Sequence, residues 1–367
     1  MALKAGIVGL PNVGKSTLFN AITNSKIEAA NYPFATIEPN VGIVELQDKR
    51  LDRLTEIVNP KKVQKSTFEF IDIAGLVEGA SKGEGLGNKF LTNIRETDAI
   101  IQVVRCFDDA DITHVSGSVD PIRDMNVINL ELILADMETV SKVIKRTERL
   151  VRNTKDKAAT AEFNVASKLL KAFENEKPAR SVELSEDEMK IAKGYQLLSL
   201  KPVLYVGNVA EEFVSDPTKS ELFNKLVEEA NKEGAKTIGI SAKIESELVE
   251  LPEEDREMFL EDLNITDSGL DILTRAAFEL LNLATYFTAG VQEVRAWTFN
   301  KGMTAPQCAG IIHTDFEKGF IRAEVIDYKD FDTHNGEQGA KEAGKARLEG
   351  KEYVMKDGDI CHFRFNV

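Results

Sequence analysis

At 367 residues the chain exceeds one ordinary core and can form two or three compact units. A composition of 43% hydrophobic and 29% charged residues excludes a disordered or fibrous protein, and a net charge of −15 argues against a general nucleic-acid binder unless cations cluster locally. No apolar run approaches the roughly 20 residues a bilayer-spanning helix needs, Met1 to Gly6 shows no basic leader, and Cys106, Cys308 and Cys361 form no CxxC pair, so a cytoplasmic protein with reduced thiols is expected.

Short β-branched runs at 5–8, 68–73 and 100–104 alternate with helical patterns at 15–22 and 88–95, which predicts a parallel sheet flanked by helices. Strand signals stop from Ile122 to Leu198. There Leu130, Leu134, Met137, Val140, Ile144 and Leu150 recur at helical spacing, and Pro178 sits in a polar break before a second helical stretch at 187–198. An antiparallel helical hairpin of coiled-coil type is expected. Strands return at 202–207 and 237–240 around a helix at 220–232, so the hairpin reads as an insertion. Beyond a helix at 270–281 come a strand pair over 285–299, a short helix at 305–311 with capping-box residues Thr304 and Gln307, and strands ending at 361–365. The expected fold is an α/β P-loop nucleotide-binding domain (1–125 and 200–280), an inserted α-helical hairpin (126–199) and a small α+β domain (281–367).

Residues 9–16, GLPNVGKS, fit G-x-x-x-x-G-K-[ST] between an apolar strand and an amphipathic helix, the context that motif requires. The loop and first turn, Asn12, Val13, Gly14, Lys15, Ser16 and Thr17, are expected to cradle phosphates with backbone N–H groups. Lys15 is expected to reach the β- and γ-phosphates as a catalytic cation, and the Ser16 hydroxyl to bind Mg²⁺. Asp72 closes a strand and opens D-x-A-G, in which Asp72 is a further metal residue and the Gly75 amide a γ-phosphate donor. Thr36, between the two motifs, is a third candidate metal ligand. Four glycines within residues 79–87 suggest a nucleotide-sensing switch, or simply a long surface loop.

Residues 9–16, NYPFATIEPN at 31–40, the stretch 72–87 and NVAE at 208–211 together resemble the YchF, or Obg-like ATPase, family of translation-factor-related P-loop GTPases, and the resemblance extends over essentially the whole chain. It implies ATP hydrolysis, a Mg²⁺ cofactor, association with ribosomes and a carboxy-terminal domain of the TGS, ubiquitin-like type.

Guanine selection in this superfamily normally comes from N-K-x-D after a strand. Here Asn208, Val209, Ala210 and Glu211 occupy those places, so the carboxylate is one methylene too long and the lysine stem is missing. Loss of such a matched hydrogen-bond pair removes discrimination on the order of 10⁴-fold. ATP is therefore expected over GTP, with Asn208 bracing the loop or meeting the adenine edge, and with Ser241, Ala242 and Lys243 closing over the base. The alternative is that Glu211 is an ordinary exposed carboxylate. Leu76 stands where many relatives carry a water-orienting Gln. Asn12 could replace that function by holding K⁺ near the leaving oxygens, or could merely cap its loop. His114, in a polar Gly/Ser loop, is a second candidate catalytic residue, or an ordinary surface histidine.

Lys142, Lys145, Arg149 and Arg152 share one helix face, with Arg146, Lys155 and Lys157 nearby. This strip could bind ribosomal RNA, or be a solvated face neutralised by Glu148 and Asp156. The small carboxy-terminal domain is the other candidate ribosome contact. A slow ATPase switch is the expected function, against a non-hydrolysing nucleotide-binding module or a GTP-specific ribosome factor.

Overall fold

The computed structural model describes residues 3–24, 40–73, 86–154 and 156–366. In chain order the elements are β1 (Lys4–Val8), α1 (Lys15–Asn24), β2 (Val41–Glu45), α2 (Lys49–Val58), β3 (Val63–Gln64), β4 (Thr67–Asp72), α3 (Leu86–Arg95) and β5 (Ala99–Cys106). Then come α4 (Pro121–Thr154), α5 (Lys157–Phe173), α6 (Glu186–Gly194), β6 (Val203–Val209), α7 (Glu221–Lys232), β7 (Lys236–Ile240), α8 (Ala242–Glu250), α9 (Glu253–Asp262) and α10 (Gly269–Leu280). The last part holds β8 (Leu283–Ala289), β9 (Val294–Asn300), α11 (Ala305–Ile312), α12 (Thr314–Lys318), β10 (Phe320–Asp327), α13 (Tyr328–Thr333), α14 (Glu337–Glu342), β11 (Arg347–Glu349) and β12 (Asp359–Phe365). Among the described residues, those up to 24, at 40–42 and at 69–273 gather into one compact unit, and those at 43–68 and 274–366 into another.

The first sheet has the strand order β2-β4-β1-β5-β6-β7, and β1 pairs in parallel with β4 and β5, as does β6 with β5 and β7. Every residue of β5 and β6 is buried, which explains their near-continuous apolar sequences: a central parallel strand is covered on both faces. The loops at the carboxyl ends of β1, β5, β6 and β7 are the ones that carry the candidate site.

The insertion differs from its expected form. Its second arm is α5, not 187–198, because the Asp156 carboxylate accepts from Ala158 N at 2.7 Å and Ala159 N at 3.2 Å and so starts a helix immediately after α4. Ile133 and Val140 of α4 are buried with Val165, Ala166, Leu169 and Phe173 of α5, and Arg146 bridges to Glu162 at 2.6 Å. Leu130 and Leu150, expected in the seam, are 39% and 44% exposed. The base of the insertion is polar. Arg180 donates to Asn129 Oδ1 at 2.7 Å and pairs with Glu233 at 3.0 Å, while Asn129 Nδ2 donates to the Tyr205 hydroxyl at 2.9 Å.

The second unit is a sheet in the order β11-β10-β12-β8-β9-β3. α11, with its capping box at Thr304 and Gln307, covers a core containing Tyr286, Phe299, Cys308 and Phe363. A second core joins Leu51 and Leu54 of α2 to Phe287, Val294, Ile326 and Phe331. The sequence reading confined this unit to 281–367, whereas α2 and β3 belong to it. The reason is packing: α2 buries Leu51 and Leu54, three residues apart on one face, in that core. All three cysteines are buried and free, and among the described residues no helix is long and apolar enough to cross a membrane.

Removing one partner of a buried ion pair typically costs about 3–5 kcal/mol, because the other charge stays buried and uncompensated. Arg180→Ala is therefore expected to destabilise the first unit by about that amount, and urea unfolding followed by tryptophan-independent probes such as far-UV circular dichroism checks it; a change below about 1 kcal/mol would remove the pair from the base of the insertion.

Candidate nucleotide-binding site

β1 ends at Val8 and α1 begins at Lys15, with the loop 9–14 between them. Two glycines are required by geometry. A Cβ on Gly9 would lie 2.9 Å from Val103 O, and Gly14 has φ +93 with Asn208 Nδ2 only 2.2 Å from where its Cβ would be. Asn12 is left-handed at φ 62, a conformation that asparagine tolerates better than most residues. The first turn of α1 leaves backbone N–H groups without helical partners at the positive end of its dipole, an arrangement suited to anions.

Parallel pairing sets Ile7 of β1 beside Asp72 of β4, and Ile73 N donates to Ile7 O at 3.1 Å. The carboxyl ends of the two strands thus lie together, and the Lys15 ammonium, on a residue only 8% exposed, pairs with the Asp72 carboxylate. Ser16 and Thr17 are exposed on the first turn of the helix. Lys15 and Asp72 therefore meet, and Ser16 follows Lys15 on the same helical turn. Thr36, Gly75, Leu76 and most of the glycine-rich run lie outside the described residues.

Asn208 lies in β6, not in a loop, and is 5% exposed. Its Nδ2 donates to Val13 O at 2.9 Å, and its Oδ1 accepts from Ala242 N at 2.9 Å. One carboxamide fastens the phosphate loop to the turn after β7. Of the two roles open to it, this arrangement is bracing. Val209 is 2% exposed and stands beside Cys106 in the β5–β6 register, so its side chain belongs to the core. Glu211 follows β6, and its carboxylate is paired with the Lys243 ammonium, their side chains 48% and 65% exposed. The hydrogen bond to Glu211 holds the Lys243 ammonium above its ordinary range. Ser241 and Ala242 are each 2% exposed. The structure thus brings Asn208, Glu211, Ser241, Ala242 and Lys243 to one side of the phosphate loop and leaves the Val209 side chain out.

The two candidates for the hydrolytic step are both engaged. Asn12 Nδ2 donates to Thr113 O at 3.0 Å. His114 is 6% exposed, not a surface residue; its Nδ1 accepts from Ser116 N at 3.0 Å, so Nε2 carries the proton and donates to Asp124 Oδ2 at 2.7 Å. Asp124 also takes Arg123, at 2.8 Å. His114 is thereby part of a buried ion-paired cluster at the start of α4.

A residue that the sequence reading missed is Glu245 on α8, three residues beyond Ala242. It is 1% exposed, and its carboxylate accepts from Gly269 N at 2.7 Å and Leu270 N at 3.0 Å, capping α10. Burial pushes its carboxyl up to about 7 although the two N–H bonds pull the other way. Nothing in its local sequence marks it, since its partners are more than twenty residues away.

Comparison with known proteins gives a consistent result. Residues 4–157 match a family model described as 50S ribosome-binding GTPase, and residues 283–366 match one named YchF-GTPase C-terminal and described as a protein of unknown function. A Bacillus subtilis protein named ribosome-binding ATPase YchF is 64% identical over 100% of both chains, and a Haemophilus influenzae protein of the same name is 57% identical, also over 100% of both. The solved structure of the Schizosaccharomyces pombe YchF GTPase is similar with a TM-score of 0.89 and 41% identity, covering 99% of this chain and 97% of that one.

Because the folded carboxyl of Glu245 is raised from 4.5 to about 7, the folded state holds its proton more tightly and stability falls as pH rises through that window. Glu245→Gln is expected to remove that slope, a difference of about 3 kcal/mol between the ends of the window at most, measured as wild-type minus variant stability across pH. Parallel curves would place the carboxyl in an ordinary range.

Proposed function

The chain belongs to the YchF family, and from that premise we propose that it is a P-loop nucleoside triphosphatase that binds and slowly hydrolyses ATP in preference to GTP, with Mg²⁺, as a nucleotide-dependent switch on the ribosome. The carrying observation is the base side of the site. Val209, where guanine selection needs a lysine stem, is buried, and the longer Glu211 replaces the aspartate, its carboxylate held by Lys243. Asn208 is taken up by Val13 and Ala242 and sets the spacing between phosphate and base loops.

Phosphate binding follows from the loop N–H groups and Lys15. An entering triphosphate competes with Asp72 for the ammonium, which turns towards the phosphate oxygens and frees the carboxylate. The donors fit Mg²⁺: Ser16 and Asp72 offer the hard oxygens this ion prefers and would hold it beside the phosphates. Thr36 is a further ligand in this reading. When bound, the ion would supply positive charge that neutralises the phosphates. With the Asn12 nitrogen on Thr113 O, its amide oxygen is the atom that would face K⁺. A water-orienting His114 has to exchange Asp124 for the nucleophile, an observation that favours the second reading, a regulatory module without hydrolysis.

Ribosome association is read from α4. Lys142, Lys145, Arg149 and Arg152 are exposed; Arg152 pairs with Glu148 at 2.6 Å, whereas among the described residues Lys142, Lys145 and Arg149 have no ion-pair partner. Three uncompensated cations on an acidic protein suit a phosphate backbone. The hairpin as a coiled-coil arm at 126–199, the carboxy-terminal part from 281 as a TGS-like unit and a cytoplasmic location complete the proposal.

Two measurements test it. Multiple-turnover phosphate release, run beside equilibrium affinities for ATP and GTP, is expected to show slow turnover with ATP bound the tighter; tighter GTP would overturn the base reading, and binding without release the enzymatic one. Replacing Lys142, Lys145, Arg149 and Arg152 together with Glu is expected to weaken ribosome cosedimentation at least about tenfold and flatten its salt dependence while sparing ATP affinity. Undiminished cosedimentation at matched salt would move the contact to the carboxy-terminal unit.

A further inference from the structure

The loop that follows β5 is organised by a buried cation that none of the nucleotide-binding motifs accounts for. Arg105, the penultimate residue of β5, is 1% exposed, and among the described residues its guanidinium has no carboxylate partner. It donates instead to main-chain carbonyls: Nε to Phe107 O at 3.1 Å, Nη1 to Ile112 O at 3.0 Å and Nη2 to Asp109 O at 3.2 Å. The Phe107 ring lies against it with 4.5 Å between the guanidinium carbon and the ring centroid. Withdrawing a charge from water for this purpose is expensive, and ordinary turn residues close a loop without it. What a planar guanidinium adds is a rigid fork that holds several carbonyls in one fixed arrangement.

That arrangement leads directly to the phosphate loop. Ile112, bound by Arg105, precedes Thr113, whose carbonyl accepts from Asn12, and Thr113 precedes His114. In the β5–β6 register Arg105 stands beside Asn208, and Asn208 holds Val13. The adjacent residues Asn12 and Val13 are thus secured from two neighbouring strands, Val13 by Asn208 directly and Asn12 by Arg105 through the turn 107–113. We propose that Arg105 is a positioning residue for the phosphate chemistry: by fixing 107–113 it holds Asn12, and with it the phosphate loop, in the geometry that turnover requires. This rests on the reading of residues 9–16 as the phosphate loop of an ATPase.

The test uses the full chain with Arg105→Lys, which keeps the charge but replaces the fork by a single flexible ammonium, and Asn12→Gly, which breaks the contact from the other side and suits the positive φ at that position. Amide hydrogen exchange over 107–117, which needs no turnover, is expected to accelerate at least about tenfold in Arg105→Lys. Both variants are expected to lose about tenfold or more in kcat for ATP with KM within about threefold, as small displacements of positioning groups do. In the double variant the losses are expected not to multiply, because both substitutions cut the same linkage. Unchanged exchange in Arg105→Lys, kcat preserved despite faster exchange, or losses that multiply would each overturn the proposal. Should Arg105→Lys fail to fold, Asn12→Gly decides: kcat at the wild-type level, or a kcat loss with unchanged exchange over 107–117, overturns it, and a kcat loss with KM held and faster exchange there supports it. An inactive wild type overturns the ATPase reading, while the exchange result still decides whether Arg105 fixes the loop.

Discussion

The carboxamide of Asn208 is the constraint on which the site's geometry depends. It satisfies one carbonyl of the phosphate loop and one amide of the turn after β7, both away from water, so neither loop can shift without leaving a buried polar group unpaired. Its closeness to Gly14 also removes any freedom at that position, since even a methyl group would overlap it. Because β6 is fully buried and paired on both sides, by β5 and β7, the carboxamide is anchored in the interior of the sheet. Preorganisation of this kind matters where the bound charge is large and the groups that meet it must be in place beforehand.

Around that centre the chain buries an unusual variety of charges and neutralises each differently. Lys15 uses a carboxylate at the end of β4, Arg180 a carboxylate together with an amide at the foot of the insertion, Arg105 carbonyl dipoles and an aromatic face, and Glu245 the amides that open α10. The differences follow from what each must allow. The Lys15 pair has one half-open partner and can exchange it for another anion. Arg105 and Arg180 are enclosed in networks whose members hold separate chain segments together, so exchange would mean local opening.

The phosphate loop was legible in the sequence because its chemistry demands particular residues at fixed spacing, and the parallel sheet because buried strands leave continuous apolar runs. Of the residues expected at the base, Glu211 and Lys243 meet, but Val209 lies in the core, since it still belongs to β6, a strand covered on both faces, and not to the loop that follows. His114 was misjudged as to exposure because Asp124, its partner, lies ten residues on in a helix whose packing the local pattern does not reveal. The second arm of the insertion was placed too late because α5 starts directly after α4 on the cap that Asp156 provides, with no Gly or Pro break in the sequence to mark the turn. Arg105 gave no signal, for a strand arginine looks like an exposed residue until both faces of the strand are seen to be covered.

The recruitment of α2 and β3 into the carboxy-terminal sheet has a consequence for synthesis. Leu51 and Leu54 leave the ribosome early, yet the strands and helices that cover them end only at Phe365. At about 5–20 residues per second the interval is roughly 15–60 s. During that time a nascent chain carries an amphipathic helix with no permanent partner, and a chain shortened before β8 would carry it for its whole lifetime. Early release of the amino-terminal half is thus a hazard for the cell's quality control, and loss of the last eighty or so residues removes more than one domain's worth of cover.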